Sequence, residues 1–310
     1  MSVKLVLVLS ENWTLTPPRD LRALVRMAVV AEDAGFDAVM VSEHIVLGPS
    51  AGAAGVMGNP RDYAMPGNQD PGMPWPSSLV LLSAIAAATT RLRLAACAVI
   101  APLRHPLLLA RELGTLDILS EGRLVVQPTV SWHEEEYEAL GVAYRRRGAL
   151  LDEQLAAWEA VWACSPASFH GEHYSFHDVY LEPKAWRPDG PTIWLGGESV
   201  HPRLLRRIVR YARGFHPLGQ PSDEDLEVLA AGMAEAGRDL VELELVGGMR
   251  AVFPDDSSLS PLEPALASLP AQIARGFGTF CIKPSQFVDD MVLYPAWCRE
   301  VVERVAEVAA

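Results

Sequence analysis

The 310 residues carry 39 acidic against 26 basic side chains, a formal net charge of −13, and half of them are hydrophobic. A nucleic-acid binder needs a basic face to displace counterions from phosphate, and an anionic membrane surface repels the same excess of carboxylates, so both partner classes are excluded. The hydrophobic half suffices for a sizeable core and excludes wholesale disorder.

In chain order, residues 3–9 read as a first core strand, too short and too alternating for a signal peptide. A helix opens at Pro17-Pro18-Arg19-Asp20, carries Leu21, Leu24, Val25 and Ala28 at helical spacing, and closes at Gly35. Strand 36–41 follows. Residues 77–90 form an Ala/Leu-rich helix with Ser77 or Ser78 placed to cap it. Then come strand 92–99, helix 106–119, strand 123–130 and helix 150–163. The second half repeats the scheme with strand 192–195, a helix through Ala212, strand 214–216 and a helix over 222–236 capped by Ser222. Strand 241–252, helix 263–275, strand 279–284 and helix 290–308 complete it. Strand–helix alternation implies parallel strands with right-handed crossovers. Eight such units without a linker predict one (β/α)₈ TIM barrel over residues 1–310, with a doubly wound open sheet as competitor.

Two insertions break the rhythm. Residues 45–76, rich in Gly, Pro and Ala, leave the carboxyl end of the second strand, where barrel enzymes place their chemistry. A substrate lid is expected there, against a disordered bystander loop. Residues 169–183 predict a small hairpin before the fifth strand.

Cys97, Cys164, Cys281 and Cys298 show no paired spacing, which fits neither a disulfide framework nor a zinc knuckle and points to a reducing, cytoplasmic setting. His170, His173 and His177 do not converge on one hairpin face, so no metal is expected. Gly48-Pro49-Ser50-Ala51-Gly52 fits a nucleophile-elbow pattern but lacks the helix that should follow. The acids after His133 favour a helix N-terminus.

The remaining polar groups sit at strand ends. Glu43-His44 follows the second strand, where a neutral imidazole can exchange a proton and an adjacent carboxylate can raise its basicity. A structural histidine closing the strand is the competing reading. Arg104 and His105 follow the third strand and could face the ligand mouth. In Gly196-Gly197-Glu198-Ser199, glycines let the backbone approach an anion, and the first helical N–H groups with Ser199 can bind a phosphate. Tight βα turns without ligands use the same pair.

Several stretches, taken in order, resemble the luciferase-like monooxygenase superfamily, particularly its F420-dependent oxidoreductase branch. They are 36–39 with Glu43-His44, 102–110, 116–124, 131–141, 191–197 and 211–219. The resemblance implies a barrel with coenzyme F420, or FMN, lying across the strand carboxyl ends. It places Glu43 and His44 beside the reactive ring. Cys97–Ala98 would be a non-prolyl cis peptide propping the ring, and Gly196, Gly197, Glu198 and Ser199 would hold the phosphate. Gln127 and Thr129 would also line the cofactor, with Trp75, Trp132 and His216 facing a small-molecule substrate.

The resemblance further allows a separate flavin or F420 reductase and a homodimer. The chain departs from the family at Gln127-Pro128-Thr129, where relatives have a glycine-rich strand end. It departs again at Arg213-Gly214-Phe215, where they have Asp-Gly-Trp. Three readings stay open: F420-dependent hydride transfer with His44 exchanging the proton and Glu43 orienting it, a two-component FMN monooxygenase, and a non-catalytic ligand-binding barrel.

Overall fold

A computed structural model describes residues 3–217 and 219–309. Met1, Ser2, Ala310 and Leu218, the last within a matched stretch, lie outside the described residues.

Strands β1 (Lys4–Val8), β2 (Ala38–Val41), β3 (Arg93–Ile100) and β4 (Leu124–Thr129) come first, followed by the hairpin strands β5 (Ala167–His170) and β6 (Ser175–Val179). Then come β7 (Thr192–Leu195), β8 (Gly214–Phe215), β9 (Glu244–Gly248) and β10 (Thr279–Ile282). Eight of them close a barrel in the order β1-β10-β9-β8-β7-β4-β3-β2, and β5 pairs with β6 antiparallel outside it. The pairing is parallel all round the ring, so the TIM barrel expected from the alternation is present and the open sheet is not.

Side chains alternate across each strand. Val6, Val8, Ala38, Met40, Ala95, Cys97, Val125, Trp194, Val246 and Cys281 therefore fill the barrel interior as one cluster. Their neighbours Leu5, Leu7, Val39, Val41, Leu94, Ala96, Phe280 and Ile282 belong to the second, outer cluster, which packs against the helices. This layered filling makes the barrel a packed core rather than a pore.

The helices are α1 (Leu21–Ala34), α2 (Ser78–Ala88), α3 (Pro106–Leu119), the short α4 (Glu134–Ala139) and α5 (Arg147–Ala163). They continue with α6 (Pro202–Tyr211), α7 (Asp223–Glu235), α8 (Glu263–Ala267), α9 (Leu269–Ala274) and α10 (Tyr294–Val308). Helix α1 starts later than its prolines suggested because Asp20 caps it by accepting from the Ala23 N–H, and Gly35 ends it at φ 104°. Neither serine caps α2 through its side chain. The Ser78 hydroxyl is donated to Glu43 instead.

The strand expected over 241–252 shrinks to β9 because Asp239 and Glu242 form a reciprocal cap on a single 3₁₀ turn. The helix expected over 263–275 divides into α8 and α9, each with a proline at its start, where the missing N–H is tolerated. The last helix begins at Tyr294, since Asp290 anchors a turn by accepting from the Leu293 and Tyr294 N–H groups.

Candidate active site at the carboxyl-end rim

The segment 45–76 is a strap bonded at many points, not a loose loop. At its root the Ile45 and Val46 N–H groups donate to Glu136 Oε1, and the Gly48 N–H donates to His133 Nε2 at 2.7 Å. In its middle, Asn59 Nδ2 donates to the carbonyls of Asp255 and Ser258, and Arg61 Nη1 to that of Ser257. From the barrel side, Lys283 Nζ donates to the Asp62 carbonyl at 2.7 Å, and the Ala64 N–H donates to Glu11 Oε1. Tyr63 packs against the barrel-interior cluster, so the strap crosses the mouth.

Beside the strap's root, His44 Nδ1 lies 3.3 Å from Glu136 Oε2, and both side chains are buried. The carboxylate accepts, so Nδ1 carries a hydrogen; in the neutral ring Nε2 then presents a lone pair, and it has no partner among the described residues. Trp75 and Trp132 stand edge-on to the imidazole at centroid distances of 5.1 and 5.8 Å. His133 accepts at Nε2, so its hydrogen sits on Nδ1, which is buried and unpartnered, as is Trp75 Nε1. Burial pushes the His133 pKa down, keeping that ring neutral.

Glu43 does not orient His44. Its carboxylate accepts from both Nη atoms of Arg104, from the Ser78 hydroxyl and from the Ile100 N–H. Glu43 and His44 lie past the end of β2, and their side chains take different partners. Nor do Arg104 and His105 face the mouth as free groups: Arg104 holds Glu43, and His105 Nδ1 caps α3 by accepting from the Leu107 N–H. The carboxylate that meets His44 comes from 92 residues away, out of the acidic run that opens α4.

Across the rim, the Cys97–Ala98 peptide is cis. Gln127 folds onto the end of β8, with Oε1 2.7 Å from His216 Nδ1 and Nε2 donating to the His216 carbonyl. An amide oxygen only accepts, so His216 keeps its hydrogen on Nδ1. Its Nε2 meets Cys281 Sγ at 3.9 Å, and Trp194 lies edge-on to the ring. Burial drops the His216 pKa to about 4. Thr129 ends β4, half-buried.

The Gly196-Gly197 turn has a packing reason of its own, since a Cβ at Gly196 would lie 1.7 Å from the His216 carbonyl oxygen. Beyond it, the N–H groups of Gly197, Glu198 and Ser199 bond to nothing among the described residues, and Glu198 and Ser199 are exposed. Only at Val200 is the N–H taken, by Asp225 Oδ1. The rim thus brings together His44, Trp75 and Trp132 in one group, and Gln127, His216 and Cys281 in another. Among the described residues no cluster of side chains fits a metal ion, and no helix is long and apolar enough to cross a membrane.

Residues 4–274 match the family model described as luciferase-like monooxygenase. The chain belongs to that family. It is 36% identical over 169 residues to an uncharacterized protein of Mycobacterium tuberculosis, an overlap of 54% of this chain and 57% of that one. The chain therefore spans little more than half the length of that curated relative.

Two solved structures share the fold at a TM-score of 0.72. One is an F420-dependent secondary alcohol dehydrogenase with an F420–acetone adduct, at 14% identity over 98% of this chain and 99% of that one. The other is an FMN-bound type II Baeyer–Villiger monooxygenase of Pseudomonas putida, at 16% identity over 99% of both chains. Similar folds thus serve both cofactors.

Proposed function

We propose that the chain is an oxidoreductase that transfers a hydride between coenzyme F420 and a small organic substrate at the rim beside His44. The observation that carries this reading is one imidazole held at Nδ1 by a buried carboxylate, with Nε2 left open between two indole rings.

The residues present fit such a cofactor. The turn at Gly197, Glu198 and Ser199 offers free N–H groups to a phosphate, and a Cβ at Gly197 would press on Leu204 Cδ2 at 3.3 Å. The Cys97–Ala98 bond and Gln127 would then underlie the ring. Bound there, a deazaflavin supplies the hydride chemistry and the protein supplies position and electrostatics.

His44 Nε2 exchanges the proton that accompanies the hydride, and Glu136 fixes the tautomer that leaves this nitrogen open. Glu43, through Arg104, keeps the end of β2 in register with the end of β3. The strap closes the mouth against water, which strengthens each charge interaction inside it. In this reading the enzyme is cytoplasmic, forms a single domain and a homodimer, and relies on a separate reductase to recycle its cofactor.

A two-component FMN monooxygenase is the second reading, favoured by the family's own description. Parallel fluorescence titrations with oxidised and reduced F420 and FMN decide between them. Selective binding of F420 supports the hydride-transfer reading. Selective binding of FMN, with oxygen uptake when it is reduced, replaces it. Binding of neither by the folded protein leaves a ligand-binding barrel.

A further inference from the structure

His44 stands where the barrel ends and the strap begins. On its barrel side, Glu43 is tied down by Arg104, the Ser78 hydroxyl and the Ile100 N–H. On its other side, the root of the strap is tied to the one short segment, His133 to Glu136, that opens α4. The Ile45 and Val46 N–H groups donate to Glu136 Oε1, the Gly48 N–H to His133 Nε2, and the Ser50 N–H to Glu135 Oε2 at 3.1 Å.

Glu136 joins the root to the imidazole. Its carboxylate is fully buried, and a buried charge needs hydrogen-bond donors in place of water. Oε1 accepts from Ile45 and Val46, while Oε2 meets His44 Nδ1 and the Ser131 hydroxyl, both at 3.3 Å. Three of these four donors come from the consecutive residues 44–46. Unseating the root would strip two donors from the carboxylate at once, and the side chain would have to turn toward water to replace them. The bond that holds the imidazole and the bonds that seat the strap therefore share one acceptor and one stretch of backbone.

Two features outside Glu136 keep the root in place. Burial lowers the His133 pKa, so the ring stays neutral and its Nε2 can accept from Gly48. Gly48 itself has no room for a Cβ, which would run into the Glu135 side chain.

We propose that His44 is the pivot of the strap, its imidazole set for proton exchange only while residues 45–50 are seated. His133 and Glu135 are then positioning residues, acting on His44 through the root and Glu136. Residues at the ends of regular elements commonly serve as hinges, and His44 follows the end of β2. The coupling rests on the reading of His44 as the group that exchanges the proton.

The test reads the His44 tautomer by nitrogen-15 NMR of the histidine-labelled, cofactor-free chain, with the ring neutral. In the wild type the hydrogen should sit on Nδ1. His133→Ala removes the acceptor for Gly48, and Gly48→Ala pushes the root off Glu135. Each should lower the ratio of Nδ1–H to Nε2–H about tenfold, the scale of one lost hydrogen bond. His133→Gln, whose amide oxygen can accept from Gly48, should restore it. Asn59→Ala, which loosens the strap far from its root, should leave the ratio unchanged.

Gly48→Ala leaves the buried His133 in place, so it carries the test even where His133→Ala fails to fold. A His44 tautomer unmoved by loss of the root's contacts overturns the coupling, as does a ratio that falls equally in Asn59→Ala. Failure of the cofactor reading would show separately, as absence of F420 and FMN binding, without touching the tautomer ratio.

Discussion

At the bottom of the barrel, Arg93 on β3 and Glu244 on β9 meet through two hydrogen bonds of 2.7 Å. Thr279 and Lys4 add to the same carboxylate, which the Arg93 guanidinium helps hold at a pKa of about 2. At the top, His44 Nε2, Arg250 and the N–H groups of the Gly197–Ser199 turn await partners among the described residues, and His133 Nδ1 and Trp75 Nε1 are buried without one. The same strands thus end in a saturated network on one face and an under-satisfied one on the other. Saturation stabilises, while unmet donors and acceptors are what a ligand can meet, and in TIM barrels the second condition belongs to the carboxyl ends.

The sharpest way to break the comparison is at the top. His44→Ala should lower turnover by roughly 10²–10⁴-fold, the usual share of a general acid–base. Cofactor affinity should change little. Steady-state kinetics beside a fluorescence titration reads both, and near-wild-type turnover discards the role.

At the bottom the effect should fall on stability alone. Arg93→Met leaves the Glu244 carboxylate without its guanidinium and should cost about 3–5 kcal/mol in urea denaturation, with cofactor affinity unchanged.

Acid should separate the two ends. His216, depressed from 6.5 to about 4, contributes stability that is complete above pH 6.5 and lost as pH falls toward 4. Glu244, depressed from 4.5 to about 2, holds its contribution down to pH 4.5 and loses it between there and 2. Denaturation curves at a series of pH values should fall first by the upper step and then by the lower, and Glu244→Gln should remove only the lower.

The smallest effect belongs to the strap. Asn59→Ala removes its two bonds to the 255–258 turn and should cost about 1 kcal/mol, seen as faster hydrogen exchange at Tyr63 and Ala64 rather than as global unfolding.

The same contrast explains what was legible in the sequence. Periodicity and proline placement are local, so the ring of strands, the hairpin and α3 could be read from residues near one another. The Cys97–Ala98 cis bond followed from family resemblance. The partner of His44 could not be read this way, because Glu136 reaches it only through the closure of β2, β3 and β4 into adjacent positions. Adjacency in sequence pointed to Glu43, but past the end of β2 the two neighbours take different partners. Likewise His133-Glu134-Glu135-Glu136 read as acids at a helix start, and they are that. Their second use, binding the root of the strap, needed the strap's path. Lys283 carried no motif at all, since its bond to the Asp62 carbonyl depends on the path of the strap.

The most direct test follows the imidazole itself, by nitrogen-15 NMR of histidine-labelled protein titrated with F420 and FMN. The account predicts a free form of His44 with its hydrogen on Nδ1, and resonances that shift on cofactor binding while those of His105, the α3 cap, stay fixed. A cofactor that binds and leaves the His44 nitrogens unmoved would contradict it.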